Sequence, residues 1–431
     1  MADRHEGARP HNGAMRVGIG MLAALLLAAC GTPASSVQPQ ANADPAAGQA
    51  NPAAAPEANP AAGDATPGVT DTEIVLGSWG PQDGPAGAYG VINRTHAAYF
   101  QMINEQGGIG GRQIRFVYEN DSYQPAKTVA AVKKLVEEEQ IFALLGGLGT
   151  PNNMAVMEYI VQSGVPHIAP STGSTLMSNP FKRNVFALQL DYTTEAQLIA
   201  QYALDTLQSE KIAVFYQNDA FGKEGFDNVN AVLKRRGLPE ATGVTYEVTD
   251  TNFSAQALRL QTSDVDTVVL WAVPKPGGAI IQEMDKIGFK PKMLSSTVIN
   301  DPAIFELAGP GIEGLIISAW LPDFNDTSNP KIVEYREFMQ QYAPGEQIGG
   351  FSLTAYAQGQ VVSEALWRAG ADLTRESLIA ALESMQDYDD SVVPSVSYGP
   401  DDRQGTELTF FQEAKGGVFI PISDFIGLES P

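Results

Sequence analysis

Phe142-Ala143-Leu144-Leu145, then Gly146-Gly147-Leu148-Gly149, then a helix-patterned stretch from Asn152 to Ser163, then Val165-Pro166-His167-Ile168-Ala169: residues 142–169 read as strand, glycine turn, helix, strand. Two short apolar runs joined through a helix make a βαβ unit, and such units build parallel sheets with helices on both faces. Working outward, Glu73 to Gly77 and Ile114 to Tyr118 read as strands. Asn93 to Asn104 reads as a helix with Ala98, Met102 and Ile103 on one face, stopped by Gly107-Gly108. Ala126 to Glu139 completes the set as a helix.

Downstream the pattern restarts. Helices are expected at Thr194–Leu207, Gly222–Arg236, Phe253–Thr262 and Gly278–Ile287, and strands at Ile212–Tyr216, Val244–Val248, Val265–Leu270 and Leu315–Ala319. Helices follow at Pro330–Tyr342, Thr354–Ala369 and Thr374–Met385, and strand and turn character fills Ser391 to Phe425. Two successive α/β units of similar size imply two similar lobes, and 431 residues are too many for one ordinary core. Ligands of such sheets sit beyond the carboxyl ends of the strands, so two facing lobes would enclose one cleft.

The N-terminal region differs in kind. Arg9 and Arg16 precede the apolar run Val17 to Ala29, too short for a permanent membrane helix but right for a secretory leader. Its end, Leu27-Ala28-Ala29-Cys30-Gly31, resembles a lipobox, in which Cys30 is lipidated and becomes the new N-terminus. Residues 31–69 are Ala, Pro, Gly, Asn and Gln with hardly any large apolar side chain, which reads as a flexible tether.

Composition excludes several functions. Cys30 is the only cysteine, so no disulfide and no Cys/His zinc site is expected. Of the four histidines only His96 and His167 lie beyond the leader, which excludes a multi-histidine metal site; no cofactor is expected. The net charge of −23 argues against nucleic acid as a partner. A GxxxxGK[ST] loop is absent, and Gly77 is not followed by GxGxxG. Nothing assembles a nucleophile with its base, so an enzyme is not expected.

Ile103-Asn104-Glu105-Gln106-Gly107-Gly108-Ile109-Gly110-Gly111-Arg112 resembles the "IN…GGI.GR" signature of the Leu/Ile/Val-binding protein family. Glu119-Asn120-Asp121 with Pro125 and Lys127, Val165 to Thr172, and Asn218-Asp219-Ala220-Phe221-Gly222 are similar to further family segments in the same order. The resemblance spans about residues 70 to 430. It implies a type I periplasmic binding protein that feeds an ABC importer: two Rossmann-like lobes, three hinge crossovers, and closure on a solute. Lobe 1 would hold 70–190 and 321–390, and lobe 2 would hold 191–320 and 391–431, after a leader over 1–29 and a tether over 30–69. Expected partners are a small solute, the permease subunits, and the membrane through Cys30; the location is the outer face of the cell membrane or the periplasm, and the state a monomer. A sensory protein presenting its ligand to a receptor is the competing reading.

The resemblance also marks site residues. Tyr89, in the glycine-rich loop Trp79 to Gly90, matches the position of an aromatic ring covering the ligand. Thr150 and Asn152 open a helix whose free N–H groups favour an anion, with N-capping an equal role for Asn152. Ser171, Thr172, Gly173 and Ser174 resemble the segment that holds a ligand carboxylate. Phe221 matches a cleft-closing aromatic, and Tyr192, Trp271 and Phe351 fit either cleft contact or packing. Thr297 stands where amino-acid-binding members place a carboxylate for the ligand's ammonium. Without that counter-charge a buried ammonium is costly, and Asp219 or Asp301 would have to supply it.

Overall fold

The computed structural model describes residues 66–428; the expected leader, Cys30 and the tether up to residue 65 lie outside the described residues. Residues 66–69, expected as the end of the tether, belong to the fold instead. The Val75 N–H donates to Gly68 O, and a Cβ on Gly68 (φ +75°) would lie 2.2 Å from the Phe142 amide nitrogen.

Two sheets organise the chain. The first contains β1 (Glu73–Gly80), β2 (Gln113–Asn120), β3 (Ala143–Leu145), β4 (His167–Ile168) and β5 (Val185–Phe186), in the order β2-β1-β3-β4-β5, all parallel. The second contains β6 (Ile212–Gln217), β7 (Thr242–Tyr246), β8 (Thr267–Trp271), β9 (Lys292–Ser295) and β10 (Ile316–Ala319), parallel in the order β7-β6-β8-β9-β10. The antiparallel strands β11 (Phe410–Lys415) and β12 (Val418–Pro421) extend it beyond β10. Both parallel parts thus repeat one doubly wound order, whose switch points lie between β1 and β3 and between β6 and β8. Strand β5, of two residues, and β9, which opens on an exposed lysine, are short and were not among the expected strands.

Each sheet is buried on both faces. Along β1, Ile74 and Leu76 enter one core and Val75 the opposite one; along β8, Val268 and Leu270 enter one and Val269 the other. Helices α1 (Gly90–Glu105), α2 (Pro125–Lys133) and α3 (Thr150–Ser163) connect the strands of the first sheet. Helices α4 (Tyr192–Asp205), α5 (Ala220–Arg235), α6 (Ser254–Thr262), α7 (Pro274–Lys286) and α8 (Ala303–Ala308) serve the second.

After β10 the chain returns to the first sheet. Helices α9 (Pro330–Tyr342), α10 (Gly350–Ala369) and α11 (Arg375–Glu383) bury Ile332, Leu353, Val361 and Leu378 in the core that holds Ile74. The expected departure at 391 is displaced. Val392, Val393, Val396 and Tyr398 fill that same core, Ala187 bridges to Gln404, and the second sheet is regained at Phe410. Scattered apolar residues in a loop have no period to say which core they fill.

Candidate functional site

The loops at the carboxyl ends of the two sheets face each other across a cleft with about 760 Å³ of empty space, part of it open to solvent. Tyr89 ends the loop after β1 and is buried. Its ring packs on Phe351 with centroids 4.5 Å apart, and its hydroxyl donates to Val298 O at 2.7 Å, joining the two lobes. Burial pushes the Tyr89 phenol well above its ordinary range, so it stays a neutral donor.

The loop after β3 runs against the first wall. Gly147 (φ +84°) must be glycine, since a Cβ there would lie 2.4 Å from the Trp79 ring. Trp79 is therefore core behind the loop. Thr150 lines the cleft at the first turn of α3. Asn152 does not. Its Nδ2 donates to Asp121 Oδ2 at 2.9 Å and to Thr128 Oγ1 at 2.8 Å, so it neither reaches the cleft nor caps the helix but secures the loop after β2.

Of the four residues expected to cradle a carboxylate, only Ser171 lines the cleft. Thr172 turns back to the Thr150 hydroxyl at 2.7 Å, and Ser174 accepts from Leu176 N–H at 3.4 Å. Gly173 is covered by Tyr192, whose N–H donates to Gly173 O at 2.6 Å and whose ring would meet a Cβ at 2.7 Å. Thr172, Gly173 and Ser174 therefore brace the loop that presents Ser171. Behind Ser171 lies Gln358 of α10, whose Nε2 donates to Ser171 Oγ at 3.0 Å and Ala169 O at 2.8 Å, while His96 Nε2 sits 3.0 Å from its Oε1. Burial lowers the His96 pKa to about 3, so the imidazole is neutral.

The second wall is aromatic. Tyr192 and Phe221, each at the first turn of its helix, line the cleft with ring centroids 5.4 Å apart. Trp271 is fully buried behind them, 5.5 Å from Tyr192 and against Gly225, where a Cβ would lie 2.2 Å from its ring; Val273 reaches the cleft instead. Thr297 lines this wall. Sequence reasoning missed Tyr123 and the crossover Trp320 to Phe324, which follow strands it expected, and Gln189 and Asn300, which follow β5 and β9, strands it did not expect.

Among the described residues, no Asp, Glu, Lys, Arg or His lines the cleft. Asp219 is committed to Gln217 Nε2 and, at 3.2 Å, to Gly222 N–H at the start of α5. Asp301 accepts from Ala303 N–H at 3.1 Å and Phe351 N–H at 3.3 Å, and burial raises its pKa to about 6. The unexpected carboxylate is Glu195, 1% exposed. Its Oε1 accepts from Thr297 N–H at 2.6 Å and from the Ser318 hydroxyl, and its Oε2 has no partner among the described residues.

Burial raises the Glu195 pKa to about 7. A carboxyl whose folded pKa lies above its unfolded value stabilises the fold below that unfolded value, near 4.5, and the contribution is lost as pH rises through 7. Glu195→Gln should therefore gain stability over the wild type by about 2 kcal/mol on going from pH 5 to pH 8. Urea unfolding at the two pH values checks this; an unchanged gap would show that Glu195 is not the titrating group.

Comparison with known proteins places this architecture. A profile of the periplasmic binding protein family matches residues 73–418. Leu/Ile/Val-binding protein homolog 3 of Brucella melitensis biotype 1 is 23% identical over 303 residues, 69% of this chain and 80% of that protein. A fatty acid ABC transporter substrate-binding protein from Thermomonospora curvata superposes with a TM-score of 0.77 at 23% identity, covering 84% of this chain and 95% of the other. A branched-chain amino acid ABC transporter structure from Thermus thermophilus with bound valine gives 0.75 at 20%, covering 83% and 97%. With two doubly wound lobes facing one cleft and a family match over nearly all of the described fold, the chain belongs to the periplasmic binding proteins, in the type I group of the Leu/Ile/Val-binding proteins.

Proposed function

We propose that this chain is the extracytoplasmic capture component of an ABC importer, lipid-anchored at Cys30, and that it holds a small amino-acid-like or carboxylate-bearing solute between its lobes. The observation that carries the reading is the cleft itself, set at the switch points of both sheets and bridged by the Tyr89–Val298 hydrogen bond. Support also comes from the relatives: one solved structure holds valine and another is named for fatty acid, and both ligands carry a carboxylate. No residue set in the cleft pairs a nucleophile with a base, which favours capture over turnover.

Mass spectrometry of solutes released from the purified protein identifies candidates. At a hundredfold excess over its dissociation constant, the solute should stabilise the fold by about 3 kcal/mol and be recovered intact. Consumption of the solute, or no stabilisation by any recovered compound, would overturn the role. In cell fractionation, Cys30→Ser should move the protein from the membrane to the soluble fraction.

A further inference from the structure

The hydrogen-bond polarity of the cleft narrows the solute. The Ala169 carbonyl is an acceptor and takes a hydrogen from the Gln358 side chain at 2.8 Å. The amide turned end for end would set its oxygen against that carbonyl, so the NH2 group must face Ala169 O and Ser171 Oγ. The amide oxygen then faces neutral His96, which carries its proton on Nε2. Ser171 Oγ is therefore already an acceptor, and its own proton is left to donate into the cleft. Beside it, the Thr150 N–H at the first turn of α3 has no intrahelical acceptor. This end of the cleft presents donors.

The rest of the cleft is of another kind. Phe351, Thr354 and Gln358 fall at i, i+3 and i+7 on one face of α10, so Gln358 stands about 10 Å along the helix from Phe351. Leu148, Trp320, Leu321, Phe324 and Leu353 join the Tyr89–Phe351 pair in a wall that offers apolar surface. Nothing on that wall is charged, Asp219 and Asp301 are committed elsewhere, and Glu195, behind Thr297, is not among the residues lining the cleft. Resting on the capture role, we infer that the solute is a monocarboxylate with an aliphatic or aryl-alkyl tail and no amino group. Its carboxylate meets Ser171 and the start of α3, and its tail runs along α10 toward Tyr89 and the Trp320–Phe324 crossover.

A matched pair tests this on the unmodified protein. Leucine and 4-methylpentanoate share one skeleton and differ by the ammonium. Titration calorimetry should find the deaminated acid at least tenfold tighter, because only leucine must strip an ammonium of water without a counter-charge. From butanoate to octanoate, affinity should rise roughly fourfold per methylene until the tail outruns the wall. Ser171→Ala should weaken octanoate about tenfold. Leucine binding as tightly as 4-methylpentanoate, or tighter, overturns the inference while leaving capture intact, and would make the unpaired Oε2 of Glu195 the counter-charge. Failure of both compounds beside a recovered solute of other chemistry also overturns it with capture intact. Failure of every compound, with nothing recovered, counts against both.

Discussion

Replacing Gly350 by alanine should hold the lobes apart and weaken solute binding at least a hundredfold. Gly350 opens α10 on the first lobe and packs on the Asn300 carbonyl of the second; a Cβ there would lie 1.9 Å from that oxygen. No side-chain rotation relieves a clash with backbone, so the lobes must part by more than an ångström. The same contact carries the Phe351 N–H bond to Asp301 at 3.3 Å and lies beside the Tyr89 bond to Val298 at 2.7 Å. Losing two hydrogen bonds across the closure, one of them to a carboxylate, costs about 3 kcal/mol, which is about a hundredfold in affinity. Neither lobe's core is touched, so unfolding of the solute-free protein should shift little. Calorimetry reads the affinity, and small-angle scattering reads the separation as a larger radius of gyration in the presence of solute. Wild-type affinity with a compact, solute-bound envelope would mean that the Gly350–Asn300 contact is not part of the bound state.

The fold was legible where its determinants are local. Ile74-Val75-Leu76 and Val268-Val269-Leu270 announce strands buried on both faces, and the alternation with helical segments dictates a parallel sheet. The route of the chain between lobes was less legible, because Val392 to Tyr398 are assigned to the first core by tertiary packing alone. The site shows the same division. That the loops after β1, β3 and β4 face the cleft follows from topology. Which side chain of Ser171 to Ser174 points inward depends on Tyr192, which comes from the other lobe to cover Gly173. Glu195 reads in the sequence as an ordinary acid in the first turn of a helix, favoured there by the macrodipole. Its burial is decided by Thr297 and Ser318, 102 and 123 residues away in the chain.

Gln358→Leu should destabilise the fold by about 3 kcal/mol and weaken binding of a carboxylate solute more than tenfold. Three buried groups lose their partner together: Ala169 O, Ser171 Oγ and His96 Nε2, at 2.8, 3.0 and 3.0 Å from the amide. Each buried polar group left unpaired costs about 1–3 kcal/mol, and partial relaxation keeps the total near the lower bound. Ala169 is held at φ +51°, a left-handed conformation that a non-glycine residue adopts at a cost of about 1–2 kcal/mol. With its carbonyl released, that residue has reason to relax, and Ser171 moves with it. Gln358→Glu separates hydrogen bonding from packing, since it keeps the volume but replaces the donating NH2 with an acceptor. At pH 8 the new carboxylate faces Ala169 O and draws the Ser171 proton away from the cleft, so binding should fall as far as in the leucine variant. Urea unfolding and calorimetry on both variants decide the matter. Full carboxylate affinity in Gln358→Glu would mean that Ser171 does not present its proton to the solute.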